Sequence, residues 1–189
     1  TPYSTTAKSA AEKFTAPSMH HIFGTDNIGR DIFSRVMQGL GTTLVISTSV
    51  VLFSTVAGVL LGAFTGYFGG ILDEILMRIT DAVNGFPSIL LTLVIISLLG
   101  KGRQNVIIAL GIVFIPSFVR IVRGEFLRLR DADYIKRARL MGVGRLRILF
   151  IHILPNIFSV LLVSVMIGFN NAILAESGMS YLGIGVQAP

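Results

Sequence analysis

The chain has 189 residues, 52% hydrophobic and 14% charged, against about 25% charged in an ordinary soluble domain, so a conventional soluble globule is excluded and a membrane protein is expected. It has no cysteine, which excludes disulfide frameworks, thiol chemistry and Cys-based metal sites. The formal charge of +6 is no nucleic-acid signal, because nine of the 16 Lys and Arg fall between Arg120 and Arg147, beside apolar runs with few aromatics to stack bases.

In chain order, residues 1–18 are rich in Ser, Thr and Ala and read as a flexible lead-in without the basic-then-apolar pattern of a signal peptide. Residues 19–189 read as one membrane domain. Gly24 and Gly29 break the stretch 20–35, after which Asp31 opens a helical pattern with Ile32, Phe33, Val36 and Leu40 on one face. This predicts a short interfacial helix lying on the bilayer surface.

Residues 36–72 carry no charge, ample for the roughly 20 residues a membrane helix needs, and a first span is placed at 43–68. Gly58, Gly62, Gly66 and Gly70 recur every four residues, which predicts a flat face against a neighbouring helix. Residues 71–83 alternate as an amphipathic helix leaving the membrane plane. A second span follows at 86–100, with Pro87 near its start. The turn Gly100-Lys101-Gly102-Arg103 has no Ser or Thr after the lysine and no strand before it, so it is not a phosphate loop. A third span, 104–122, contains Pro116, which predicts a kink. A basic connector covers 120–152, and a fourth span runs from 153 to 175, ending at Glu176.

Counting cations orients the chain. With the connector inside, ten Lys and Arg lie inside and six outside, in line with the positive-inside rule, and both ends of the chain fall outside. A connector this long is expected to be functional.

Within it, Ala138, Gly142, Leu146, Ile148, His152 and the Leu154-Pro155-Asn156 end resemble the cytoplasmic coupling loop of bacterial ABC-importer permeases, whose pattern is Glu-Ala-Ala, three residues, Gly, then Ile-x-Leu-Pro. The stretch His21 to Asp31, with Gly24, Thr25, Asp26, Gly29, Arg30 and Asp31, is similar to the signature of the "C" subunit in the dipeptide, oligopeptide and nickel permease subfamily. Gly66-Tyr67-Phe68-Gly69-Gly70, Asp73-Glu74, Met77-Arg78, Phe86-Pro87-Ser88 and Ala172 to Glu176 match in order and spacing. Two departures stand out. Lys136-Arg137 occupies the place of Glu-Ala, and four spans are counted where the family has six, so one anchor is expected before Thr1 and one helix after Pro189.

The resemblance implies an all-α, polytopic bundle of the type I ABC-importer permease fold in the bacterial inner membrane. It implies no catalytic residue, metal or cofactor in this chain, with ATP and Mg in two partner ATPase subunits. A second permease in a heterodimer, an external substrate-binding protein and membrane lipid complete the expected partners, with no nucleic acid. The coupling loop, about 124–152, would contact the ATPases through Tyr134, Lys136, Arg137, Ala138, Gly142 and the segment to Pro155, with Ala138 and Gly142 sharing one helix face. ATPase closure would rock the third and fourth spans about Pro116 and Pro155. Glu176, an ionisable group beside a span, is a candidate for the solute path. Adjacent His20 and His21 point opposite ways in an extended chain and are not expected to share a metal. The alternative is an ion-coupled carrier or channel without an ATPase, which would need polar groups near mid-membrane; Asn170 and Asn171 are the strongly polar pair in the fourth span.

Overall fold

A computed structural model describes residues 13–185. They form α1 (Ile32–Phe68), α2 (Gly70–Asn84), α3 (Ser88–Leu99), α4 (Arg103–Leu129), α5 (Asp133–Leu140) and α6 (Arg145–Tyr181). The fold is an all-α membrane bundle. Three helices, α1, α4 and α6, are long and apolar enough to cross a bilayer, and α2 with α3 makes a fourth crossing if the bent pair is one span.

The packing direction decides that last point. Gly58 faces Phe118, Gly62 faces Val119 and Val122, and Gly66 faces Arg123 and Phe126. Numbers rise together, so α1 and α4 run parallel. The chain must therefore return the length of the bundle between Phe68 and Arg103, and α2 and α3 make that return with a bend of 95°. The second span is accordingly not the single helix predicted at 86–100. At 12 residues, α3 is only about 18 Å long, short of the roughly 30 Å hydrocarbon core.

α1 corrects a second expectation. Its 37 residues extend about 55 Å without interruption, so the surface-lying helix is instead the first turns of a helix that continues into the span. Gly39 and Gly41 lie in open space and leave the backbone helical.

Gly58, Gly62 and Gly66 stand where a Cβ would enter α4; Gly62, for example, would put one 2.8 Å from Val119 O and Val122 Cβ. Ser54 Oγ adds a hydrogen bond to Gly111 O at 2.9 Å across the same seam. Gly70 departs from the predicted stripe: it lies beyond α1 with nothing within 4 Å of a built Cβ.

α2 is amphipathic in the inverted sense. Ile71, Leu72, Ile75 and Ile79 are exposed, while Asp73 grips Arg123 of α4 at 2.5 and 2.7 Å. Asp81 meets Arg120 at 2.8 Å. Asp73 and Asp81 thus turn to α4, while Glu74 pairs with Arg78 at 2.8 Å on the exposed side beside the isoleucines.

Candidate functional site

The connector folds into a short helix clamped to the bundle. On α5 the buried residues are Ile135 and Ala138. Ile135 joins a cluster with Ala63 and Tyr67 of α1, Val122 and Phe126 of α4, and Ile148, Leu149 and Ile153 of α6. On the opposite side Arg137, Leu140 and Met141 face solvent, with Leu140 88% and Met141 79% exposed. Lys136 is exposed and ion-paired with Asp133 at 3.6 Å; Tyr134 lies on the flank, 41% exposed.

Gly142 does not share the Ala138 face. α5 ends at Leu140, and Gly142 has φ +80° with open space around it. The amide of Gly142 donates to Arg139 O and that of Val143 to Ala138 O, at 3.0 and 3.1 Å. This pair of bonds is a Schellman terminator, and glycine meets its left-handed backbone requirement at no steric cost.

The chain re-enters helix at Arg145, and α6 changes pitch twice. Ile148–Ile153 is π-helical, Leu154–Ile157 is 3₁₀, and Phe158–Tyr181 is α-helical. The fourth span thus belongs to a helix that starts at Arg145 and not at 153, and the second half of the connector is helix. Pro155 supplies the cause, since it cannot donate to the carbonyl four residues back and its ring crowds that turn. The Leu154 amide reaches back five residues to Leu149 O. Asn156 Nδ2 donates to His152 O at 2.6 Å. Leu146 is exposed and Ile148 fully buried.

A cleft of about 440 Å³ opens where the α2–α3 bend meets α4 and α6. Its polar lining is Asn84, Ser88, Ser117, Ser164 and Asn171, set among Phe86, Phe114 and Phe118. The bend puts irregular backbone at the cleft, where membrane proteins tolerate it. Asn84, Ser117 and Ser164 were missed in the sequence, where isolated Asn and Ser carry no spacing signal. Glu176 is not in this lining. It is 3% exposed between α1 and α6, accepting hydrogen bonds from Thr43 at 2.9 Å and Ser180 at 2.8 Å.

At the far end of α1, residues 13–31 form a knot. Lys13–Ser18 are part of it, so this portion of the expected lead-in is held, while residues 1–12 lie outside the described residues. Thr15 and Thr25 exchange backbone and hydroxyl hydrogen bonds. Gly24 has φ +71°, and a Cβ there would strike Thr15 O. Asp26 accepts from the amides of Ile28 and Arg30 and from the guanidinium groups of Arg30 and Arg35, at 2.6–2.9 Å. The Arg30 amide, the Ile28 amide and the Arg30 side chain hold its carboxyl well below the usual range despite desolvation. Gly29, φ +81°, makes the turn back to Arg30. Asp31 caps α1 through the Ser34 amide at 2.8 Å and meets His21 Nδ1 at 2.9 Å. Burial disfavours its charge, but His21 and Ser34 outweigh that and lower its pKa.

Comparison with known proteins places these features in one family. The profile described as "Binding-protein-dependent transport system inner membrane component" matches residues 58–189. The chain is 40% identical over 179 residues, 95% of its length and 59% of the relative's, to the dipeptide transport system permease protein DppC of Alkalihalophilus pseudofirmus. It is 43% identical, over 97% of its length and 62% of the relative's, to a putative peptide transport system permease protein of Brucella suis. To the oligopeptide transport system permease protein OppC of Bacillus subtilis it is 39% identical, over 99% and 61%. The chain therefore spans about three fifths of the length of these relatives.

Proposed function

The chain belongs to the family of binding-protein-dependent transport system inner membrane components, and we propose that it acts as a permease subunit of an ATP-driven importer of peptides or related small solutes. In this reading the connector end of the bundle is cytoplasmic, a second permease completes the path, an external binding protein delivers the solute, and two ATPase subunits drive the cycle. Three of the relatives named above carry peptide, dipeptide or oligopeptide transport in their names, which supports the solute class.

One observation carries the coupling role. α5 is anchored to three spans through a single buried side, yet raises Leu140 and Met141, flanked by Arg137, into solvent. Apolar side chains exposed on a clamped helix are the form of a plug for a partner's groove. The departure at Lys136-Arg137 falls on this outward face, so its partner groove must accept cations.

The cleft lining supports passage of an amide-rich solute over ion-coupled transport. Its polar groups are amides and hydroxyls, and none of its lining residues is ionisable, whereas an ion-coupled carrier needs charge at the path.

The test pairs Leu140→Glu with Met141→Glu in the full-length permease assembled with its ATPase subunits. Ile135 and Ala138 stay in place, so the helix should remain docked. We expect loss of ATPase co-purification and of peptide uptake at an unchanged melting midpoint. ATPase association and uptake at wild-type levels would overturn the coupling role.

A further inference from the structure

The connector's charges are unevenly satisfied. Of its nine cations, Arg120, Arg123, Arg128, Arg130 and Lys136 are each ion-paired. Arg137, Arg139, Arg145 and Arg147 have no carboxylate partner among the described residues. Two of these four, Arg139 and Arg145, line the same pocket of about 530 Å³ together with Tyr67, Phe68 and Gly142.

That pocket has a defined level in the membrane. Phe68 is the last residue of α1 and Arg145 the first of α6, and both helices are spans. Arg147 is the last Lys or Arg before the fourth span, and beyond it exposed Phe150 and Ile151 begin the apolar surface; Phe64 and Phe68 stack at the end of α1. The site therefore sits at the boundary between apolar and aqueous surface, where aromatic side chains mark the headgroup layer.

Arg139 is already positioned. Its guanidinium lies 5.2 Å from the centre of the Tyr67 ring and donates to Arg130 O at 3.2 Å, which fixes the plane and leaves further donors free. Arg139 is also about 100° round the helix from Leu140, so it lies off the tip proposed to meet the ATPase. We propose that Tyr67, Arg139 and Arg145 form a binding site for a phosphate-bearing anion at the inner membrane boundary, the headgroup of an anionic phospholipid or a soluble phosphate. Paired guanidinium groups match phosphate oxygens, and basic pockets at the ends of spans on the cytoplasmic side suit anionic headgroups. The site rests on the inward placement of the connector and not on the ATPase contact.

The experiment uses the full-length permease in delipidated micelles and follows its melting midpoint. Phosphatidylglycerol, phosphatidylcholine and inorganic phosphate are titrated separately against wild type, Arg145→Gln, the pair Arg139→Gln with Arg145→Gln, and Arg147→Gln. Phosphatidylglycerol should raise the midpoint and phosphatidylcholine should not. Losing one charge-assisted contact should raise the half-saturating concentration about tenfold in Arg145→Gln, while Arg147→Gln, outside the pocket, responds as wild type. A response to inorganic phosphate that Arg145→Gln also weakens supports the site with a soluble source. Arg145 makes no side-chain hydrogen bond or ion pair among the described residues, so its variant remains informative if the pair fails to fold. Equal responses to the two lipids, or an unweakened response in Arg145→Gln, would overturn the site.

Discussion

Replacing Gly62 by alanine tests the seam on which the parallel arrangement of α1 and α4 rests. The added Cβ would lie 2.8 Å from Val119 O and from Val122 Cβ, against about 3.5 Å for ordinary contact, so the helices must part by roughly 0.7 Å. A gap of that size forfeits about a quarter to a half of the dispersion energy of each contact along Gly58 and Gly66. Overpacking of this kind costs about 2 kcal/mol, roughly thirtyfold in the folding equilibrium. Gly41→Ala is the matched control, because nothing lies within 4 Å of its Cβ position, and there alanine should gain up to about 1 kcal/mol of helix propensity. The assay is denaturing-detergent titration of the purified full-length permease, following helical signal. If Gly62→Ala proves as stable as Gly41→Ala, the close approach of α1 and α4 is wrong.

Asp26→Asn should loosen the knot, because a neutral amide holds the Ile28 and Arg30 amides and the two guanidinium groups less tightly than a carboxylate does, read as faster amide exchange at Ile28 and Arg30. Because the folded carboxyl of Asp26 titrates below its unfolded value, its contribution is complete above about pH 4 and is lost as pH falls through the folded value; the variant should show less acid loosening, with no difference in pH slope between pH 5 and 7. Thr43→Val removes one of the two donors to Glu176 and should cost about 1–3 kcal/mol, whereas Glu176→Gln keeps an acceptor for Ser180 and a donor toward Thr43 and should be close to neutral in melting; the reverse order would refute this hydrogen-bond assignment. Asp73→Asn should destabilise the α2–α4 contact, and the exchange Asp73→Arg with Arg123→Asp should recover a measurable part of it in a double-mutant cycle; zero coupling energy would mean that the ion pair is not formed.

Several features were legible because their physics is local. Uncharged runs set the spans, and glycines every four residues marked the α1 face up to Gly66. Gly142 shows the limit of spacing arguments: four residues after Ala138 is where a second face residue falls, but also where a glycine ends a helix, and only the backbone at φ +80° separates the two. The same limit applies at the start of α1. Composition turns from charged to apolar between Arg35 and Thr43, which records a change of surrounding solvent and not a break in the backbone. Asp73 and Arg123 are 50 residues apart, so their contact depends on α1 and α4 being parallel and α2 folding back, a tertiary fact with no signature in either segment.

The two span prolines behave differently, and this locates the compliant part of the bundle. α4 remains α-helical through Pro116, held by the glycine seam on one side and by the ion pairs of α2 on the other. Near Pro155 the helix gives up α pitch over ten residues, first widening to π and then tightening to 3₁₀. These are the turns that touch α5, since Ile148, Leu149 and Ile153 share the fully buried cluster of Ile135. A force applied to the exposed tip at Leu140 reaches the bundle mainly through Ile135, the large buried side chain of the described α5, with Arg139 against Tyr67 as a second contact. From there it meets a stiff side, the α1–α4 pair, and a soft side, the irregular start of α6. Displacement of α5 would therefore be taken up at residues 148–157 and carried along α6 to Ser164 and Asn171 in the cleft. Under the proposed coupling this favours Pro155 over Pro116 as the hinge.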